Sequence, residues 1–421
     1  MKIVIVNHNG GSPYHGPNLR TYYAAKSLVA KGHEVSIVSS TYSHKYSKLP
    51  PDANIVNPEV VDGIDYYWIK IRKYRGLISR IFSHFQFGFR MLLNRSKLPN
   101  SADVVLFSGP PPEVFLFSRR LAKHLDAPIC CDVRDLWPLT QIQMKKVQLL
   151  NPYIWFLYFC ESYMYWRSRR IISPLQGMFL YKKKRAFKDK VCVIPNGCNV
   201  YEPDEGQGDI LLTASFPCSD LGVSKGQQVN LNGLRDRFFI VGYSGSIDRD
   251  NDTESIVEAA LRTDDPDIIF AIVGDGVMKP ALAQRARGAR NIVFFDRVFS
   301  NQVPQVLSGM DVVYCGLKAK SIYRYGASPA KIYEYMASAK PVIWAVNAYN
   351  DPVLDSGCGV SIDPGNTDQI VNSILSLKEL PAERLLEMGG LGRVHLEENY
   401  SYNMLGNQWE TVFRDVVNEK Q

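Results

Sequence analysis

A chain of 421 residues is too long for one hydrophobic core, so two domains of roughly 150 to 200 residues are expected. Its apolar and charged fractions, 46% and 22%, are those of an ordinary soluble globular protein. The richest apolar window, Tyr153 to Cys160, stops at Glu161, far short of the ~18 residues of a spanning helix. The eight cysteines contain no C-x-x-C pair and suit reduced thiols, and no His/Cys/carboxylate set has metal-ligand spacing. Net charge hides an asymmetry. Residues 1–200 hold 29 Lys/Arg against 12 Asp/Glu, a net +17, whereas residues 201–421 hold 20 against 30, a net −10. The basic half is expected to meet something anionic: nucleic acid, a lipid headgroup surface or a phosphorylated substrate.

Met1-Lys2 leads straight into a strand over Lys2–Asn7, which is read as a start without a signal peptide. A glycine-bearing loop (Asn9-Gly10-Gly11-Ser12-Pro13-Tyr14-His15-Gly16) follows, then a helix from about Pro17 to Lys31, and a strand from His33 to Ser40. The glycines permit close backbone approach to a ligand, although their spacing is not G-x-G-x-x-G. A strand at Asp103–Gly109, a turn through Pro110-Pro111-Pro112, a helix from about Glu113 to Leu125 and a strand at Pro128–Val133 continue the alternation. Such alternation predicts a doubly wound parallel sheet.

After the strand Val191–Pro195 and the turn Asn196-Gly197, about forty turn-rich residues holding Glu202, Asp204, Gly206, Gly208, Pro217 and Gly222 read as an interdomain connection. Alternation resumes at Phe238–Tyr243 and runs through Ile268–Val273, Ile292–Phe295, Val312–Cys315 and Pro341–Ala345, a second doubly wound sheet. Ligands of such sheets sit at the carboxyl ends of the strands. Those turns read Gly245-Ser246-Ile247-Asp248-Arg249, Gly274-Asp275-Gly276 and Asp296-Arg297-Val298, each with a glycine or a cation.

The segment SPAKIYEYMASAKPVIWA, residues 328–345, is the most informative. Ser328 suits a helix N-cap and Pro329 the first helical position. Lys331 and Glu334 lie one turn apart on one face. A lysine in the first turn opposes the macrodipole by a few tenths of a kcal/mol, and a phosphate placed there reverses the sign of that cost. Glu334 can accept hydrogen bonds from the vicinal hydroxyls of a ribose.

The motifs together resemble the GT-B glycosyltransferases of the retaining family 4 group. The nearest likeness is to bacterial sugar transferases of O-antigen, capsule and exopolysaccharide assembly, in the N-acetylfucosaminyltransferase-like branch. The likeness spans the whole chain. It rests on the N-terminal glycine loop with Lys31-Gly32-His33-Glu34-Val35, Val133-Arg134-Asp135-Leu136-Trp137-Pro138, Val193-Ile194-Pro195-Asn196-Gly197, Val273-Gly274-Asp275-Gly276 and the SPAKIYEYMASAKPV segment.

The resemblance implies two Rossmann-like α/β domains facing a cleft: an acceptor-binding domain over 1–199 and a nucleotide-sugar-binding domain over 200–388. A helical segment, 389–421, returns to the first domain. It implies that Glu334 holds the ribose, that Arg297 and Val298 meet the base, and that Gly245, Gly274 and Gly276 admit the diphosphate. Ser246, Ser328, Gly11 and Gly16 complete that donor set. Two departures stand out. The first glutamate of the family's E-x7-E motif falls at Gly326, and the family's diphosphate-binding Arg and Lys fall near Ser246 and Asn251. Arg249 and Lys331, then Arg324, are the expected substitutes. Arg249, Lys331, Arg134 and Asp135 are the catalytic candidates, with His15, Arg134 and Asp135 near the acceptor.

The expected donor is UDP-linked and the acceptor a glycan or a polyprenyl-diphosphate-linked chain. No cofactor or metal is expected, and nucleic acid is not among the partners. Two basic stretches, Arg72–Arg95 and Tyr153–Lys190, interleave cations with aromatics and suggest an anionic membrane surface as a further partner. The protein would then be cytoplasmic and peripheral on the inner face of the membrane. Competing readings are a metal-dependent transferase using Asp248-Arg249-Asp250 or Asp265-Pro266-Asp267, a nucleotide-sugar epimerase of the same fold, and a non-catalytic membrane or nucleic-acid scaffold.

Overall fold

The computed structural model describes residues 1–16, 19–44, 46–50, 58–145, 147–200, 210–216, 218 and 221–419. The expected helix start at Pro17 and the turn residues Glu202, Asp204, Gly206, Gly208 and Pro217 lie outside them. The chain forms two compact units. The first comprises Met1–Pro195, Tyr325–Ala327 and the chain from Tyr402 on; the second comprises Asn196–Arg324 and Ser328–Ser401.

In the first unit the strands are β1 (Lys2–Val6), β2 (Glu34–Ser40), β3 (Glu59–Val61), β4 (Ile64–Ile69), β5 (Val104–Gly109), β6 (Ile129–Val133), β7 (Ile171–Ser173) and β8 (Val191–Val193). Their order is β3-β4-β2-β1-β5-β6-β7-β8, parallel throughout except for the β3–β4 hairpin. Unbroken apolar runs such as Val104–Phe107 form strands buried on both faces, as a helix-covered parallel sheet requires. The hairpin turns on Asp62-Gly63, both at positive φ (49° and 78°), a pairing suited to a two-residue turn.

Helix Arg20–Ala30 packs beside helix Tyr402–Asn418. Leu405, Trp409, Phe413 and Val416 recur at helical spacing, so one face buries against Ile3, Ile5 and Tyr22. Asp132 on β6 is fully buried and takes the Arg20 guanidinium through contacts of 3.0–3.2 Å, while Ser108 Oγ donates to it at 2.8 Å. Arg20 also donates to the carbonyls of Ile194 and Pro195, which ties the start of its helix to the strand end after β8.

The second unit opens with a hairpin, β9 (Leu211–Thr213) and β10 (Gln228–Asn230). Its main sheet contains β11 (Phe239–Ser244), β12 (Ile268–Val273), β13 (Ile292–Phe295), β14 (Val312–Gly316), β15 (Val342–Ala345) and β16 (Gly359–Ser361). The order β13-β12-β11-β14-β15-β16 is parallel throughout and reverses direction between β11 and β14. That reversal is the switch point at which doubly wound sheets bind ligands. The supposed connection is therefore partly sheet: Ser215 N–H donates to the Phe294 carbonyl and Asp296 N–H to that of Thr213. Helix Ala382–Asn399 stays with the second unit, so the return to the first begins at Tyr402 and not at 389.

Candidate active site

The site is built at the carboxyl end of β11. Tyr335, on helix Ala330–Ala337, donates its hydroxyl to the Ser244 carbonyl at 2.9 Å and accepts the Ser244 N–H at 3.0 Å. The strand end is thereby locked to the helix. Tyr243 OH donates to the Ser246 carbonyl at 2.6 Å, closing the turn that follows.

Lys331, in the first turn of that helix, is buried, and its Nζ donates to Tyr243 OH at 3.0 Å and to Asn251 Oδ1 at 2.8 Å. The ammonium also lies 4.6 Å from the centre of the Tyr243 ring. Burial holds it below the ordinary lysine value, while Cys315, Glu334 and Asp248 pull it back up. One turn on, burial pushes the Glu334 carboxyl up to about 7, with Lys331 opposing. Lys331 and Glu334 thus share one face, with unlike charges in one poorly solvated place.

Expectation and structure differ at Ser328. It is not the N-cap, which is Pro329 and has no side-chain cap bond. The Ser328 hydroxyl instead accepts the Asn196 N–H at 3.2 Å and shares a 2.8 Å hydrogen bond with Tyr333 OH. The glycines have a packing role. A Cβ at Gly274 would lie 1.9 Å from the Gly245 carbonyl oxygen, and one at Gly276 2.4 Å from that of Ile247. Their φ values of 146° and 157° tax any side chain further. Two ligand-end turns therefore pack backbone to backbone, joined by Ile247 N–H to Asp275 O and Met278 N–H to Ile247 O. Gly245 has φ 155°, and a Cβ there would lie 3.6 Å from Lys331 Cε.

Ser246 and Arg249 are exposed in the loop after β11, and Arg297 is exposed after β13 with Val298 half-buried beside it. Arg324 is exposed as well. The carboxylates of both D-x-D matches have partners already. Asp250 pairs with Lys320, Asp265 and Asp267 with Lys378 at 2.6 and 3.6 Å, and Asp248 Oδ1 faces the Val277 N–H.

In the first unit, the expectation for His15 is revised by its surroundings. It is buried, with Nδ1 2.8 Å from Ser12 Oγ, Nε2 3.4 Å from a Glu59 oxygen and its ring edge-on to Trp68. Burial lowers its pKa, Glu59 raises it and Lys48 lowers it again. Gly11 accepts a hydrogen bond from Tyr66 OH, and Gly16 has φ 133°. Arg134 follows β6 with its Nε buried and without a hydrogen-bond partner; burial lowers its pKa against the pull of Asp132 and Asp135. Asp135 is exposed. No ion pair or hydrogen bond among the described residues joins His15 to Arg134 or Asp135.

Sequence reasoning overlooked a buried network at the ends of β1 and β5. Glu113 Oε1 accepts from Tyr153 OH at 2.6 Å and lies 2.8 Å from His84 Nδ1, and the His84 ring meets His8 edge-on at 5.0 Å. Burial and the neighbouring His84 hold His8 well below the ordinary histidine value. The histidines lie 76 positions apart in the chain, so spacing carried no signal; a Glu directly after three prolines at a strand end was the available hint.

Comparison with known proteins bears on the family and the fold. Residues 15–197 match the family described as "Glycosyl transferase 4-like domain", and residues 239–379 the family "Glycosyl transferases group 1". Nearly the whole chain overlays GT-B structures. Sucrose-phosphate synthase from Thermosynechococcus elongatus aligns over 99% of both chains at 13% identity, with a TM-score of 0.71. HepE from Anabaena, solved with UDP and glucose, aligns over 99% of this chain and 100% of its own at 12% identity, with a TM-score of 0.63. WaaG, a glycosyltransferase of lipopolysaccharide biosynthesis, aligns over 97% and 99% at 14% identity, with a TM-score of 0.61.

Among curated sequences, WcaI of Escherichia coli (strain K12), a candidate colanic acid biosynthesis glycosyl transferase, is 30% identical over 158 residues. That match covers 35% of this chain and 37% of the relative's length. The family matches and the fold together define a GT-B glycosyltransferase. The chain belongs to the group 1 and family 4-like glycosyltransferases.

Proposed function

We propose that the protein moves a sugar, with retention of anomeric configuration, from a UDP-linked, N-acetylated donor to a lipid-linked glycan in bacterial surface polysaccharide synthesis. The observation that carries the reading is the Lys331 ammonium beside Asn251, at the end of β11, with the Glu334 carboxyl one helical turn away. Relatives in this fold suggest the same chemistry: HepE was solved with UDP-glucose, and WaaG acts in lipopolysaccharide biosynthesis. On this reading Glu334 holds the ribose, Arg297 and Val298 meet the base, and Gly245, Ser246, Gly274, Gly276 and Ser328 border the diphosphate. Gly11 and Gly16, in the glycine loop after β1, are assigned to the donor as well.

Lys331 and Arg249 neutralise the leaving diphosphate in place of a metal. A buried ammonium is worth more there than in water and needs no reorganisation as charge develops. The bond from the anomeric carbon to the phosphate oxygen breaks, and the acceptor oxygen bonds on the same face. The acceptor proton passes to the departing phosphate, so no strong protein base is needed. Arg134 and Asp135 are assigned to the acceptor, whereas His15, with both ring nitrogens facing Ser12 and Glu59, organises its loop.

The same reading places the protein at the inner face of the membrane. Helices Leu77–Leu93 and Pro152–Arg167 expose Phe82 (70%), Phe89, Trp155 (68%), Phe159 and Trp166. Arg72, Lys73, Arg75, Arg167 and Arg169 are exposed close by in sequence. Apolar bulk with flanking cations suits an anionic interface. Among the described residues no helix is long and apolar enough to cross a membrane. Transfer assays over a panel of UDP-sugars with a polyprenyl-diphosphate glycan test the whole proposal. Conversion of the nucleotide-sugar without any acceptor would overturn it in favour of an epimerase.

A further inference from the structure

Besides Lys331, the ligand end of the second sheet buries another lysine. Lys279 opens helix Lys279–Arg285 directly after the glycine turn, and its side chain is only 6% exposed. Its Nζ donates at 2.8 Å to the Gly274 carbonyl, at 2.8 Å to the Phe295 carbonyl and at 2.8 Å to Ser215 Oγ, with Asp296 Oδ1 at 3.5 Å. An ammonium has three protons, and here each has an acceptor. The acceptors come from three separate strand exits, those of β12, β13 and β9. Ser215 Oγ passes a hydrogen bond on to Asp296 at 2.5 Å, closing the set. Burying a lysine is costly unless its partners are held in place, so this cation fixes the distances among three turns.

We propose that Lys279 is a positioning residue of the donor site. It sets the separation between the base-facing turn at Asp296–Val298 and the glycine turn at Gly274–Gly276, and Ser215 brings the β9–β10 hairpin into the same clamp. This rests on the assignment of those turns to a nucleotide-sugar. Lys279 does not touch the ligand, because its protons are spent on the protein. Its loss should therefore weaken ligands that span both turns and spare those that occupy one.

Calorimetric titration of the full chain with UDP and with uridine tests the clamp. Lys279→Met should raise the Kd of UDP at least tenfold and that of uridine less than threefold. A lysine with only a structural role would lower the melting temperature and leave the UDP-to-uridine ratio at the wild-type value, and that result overturns the proposal. Should Lys279→Met fail to fold, Ser215→Ala removes one acceptor and should weaken UDP two- to fivefold; an unchanged ratio in that folded variant equally overturns it. Wild-type protein that binds no UDP would instead remove the donor assignment itself.

Discussion

The ammonium of Lys331 lies 2.8 Å from Oδ1 of Asn251, so a cation from one helix has entered the loop that follows β11. Asn251 is where the resemblance leads one to expect a lysine, and its amide turns the other way to donate to the Ser246 carbonyl at 2.9 Å. A positive charge therefore sits beside Asn251, supplied from eighty positions further along the chain.

Lys331→Met should therefore reduce transfer by about 10²–10³, the loss seen when one preorganised donor to developing charge is removed. It should also cost about 1–3 kcal/mol of stability, because Asn251 and Tyr243 lose a buried partner. Arg249→Ala, at an exposed position, should change stability by no more than about 0.5 kcal/mol yet lower turnover. Steady-state kinetics beside thermal melts separate the two effects. Full activity in both variants would move the phosphate role elsewhere, and loss of activity on chelation would restore a metal.

Glu334 should make donor binding depend on pH. Burial raises its carboxyl from 4.5 to about 7, so between those values the folded protein holds a proton that the unfolded chain has released. Stability from this group consequently falls as pH rises through that window. Ribose hydroxyls donate to the ionised form, so uridine affinity should increase by up to about tenfold from pH 6 to pH 8. Glu334→Gln should flatten that profile. A wild-type profile that is already flat would refute the ribose contact.

Vesicle binding should follow the exposed aromatics. Co-sedimentation should require anionic lipid, weaken with salt, and decline in Trp155→Ala and Phe82→Ala. Neutralising Lys183, Lys184 and Arg185 should remove about 1 kcal/mol each. Lys182 is unsuited to that test because its Nζ lies 2.9 Å from the fully buried Glu161, which Tyr165 also contacts. Salt-insensitive sedimentation, or none, would rule out the membrane surface.

Arg20→Met leaves Asp132 buried without its cation, and removal of one partner from a buried pair costs about 3–5 kcal/mol. Denaturant melts of the variant should show that loss, and near-native stability would mean that Ser108 alone satisfies the carboxylate.

Much of the architecture was legible before folding. Apolar runs such as Ile268–Val273 and Ile292–Phe295 became strands with the expected bounds, because strands buried on both faces need continuous hydrophobicity. The helix carrying Lys331 and Glu334 was legible too, since the one-turn spacing of those residues is local, although its N-cap is Pro329 and not Ser328. Short strands were not. β3 and β4 escaped notice despite the Asp62-Gly63 turn, and so did β9, which pairs with β10 and is followed by the Ala214–Phe295 bridge to β13.

Spacing along the chain likewise revealed nothing of the long-range partners. Lys331 with Asn251, Lys279 with Phe295 and Arg20 with Asp132 meet because parallel crossovers bring distant strand ends together. Burial is the other quantity that sequence withholds. His15 is a loop residue in the sequence, and nothing local shows that Trp68 and Glu59 close over it or that burial raises the Glu334 carboxyl. Local patterns determined which elements form and which residue types reach the ligand end. Only the packing of strand ends decided which charges are desolvated, and hence which of them can do chemistry.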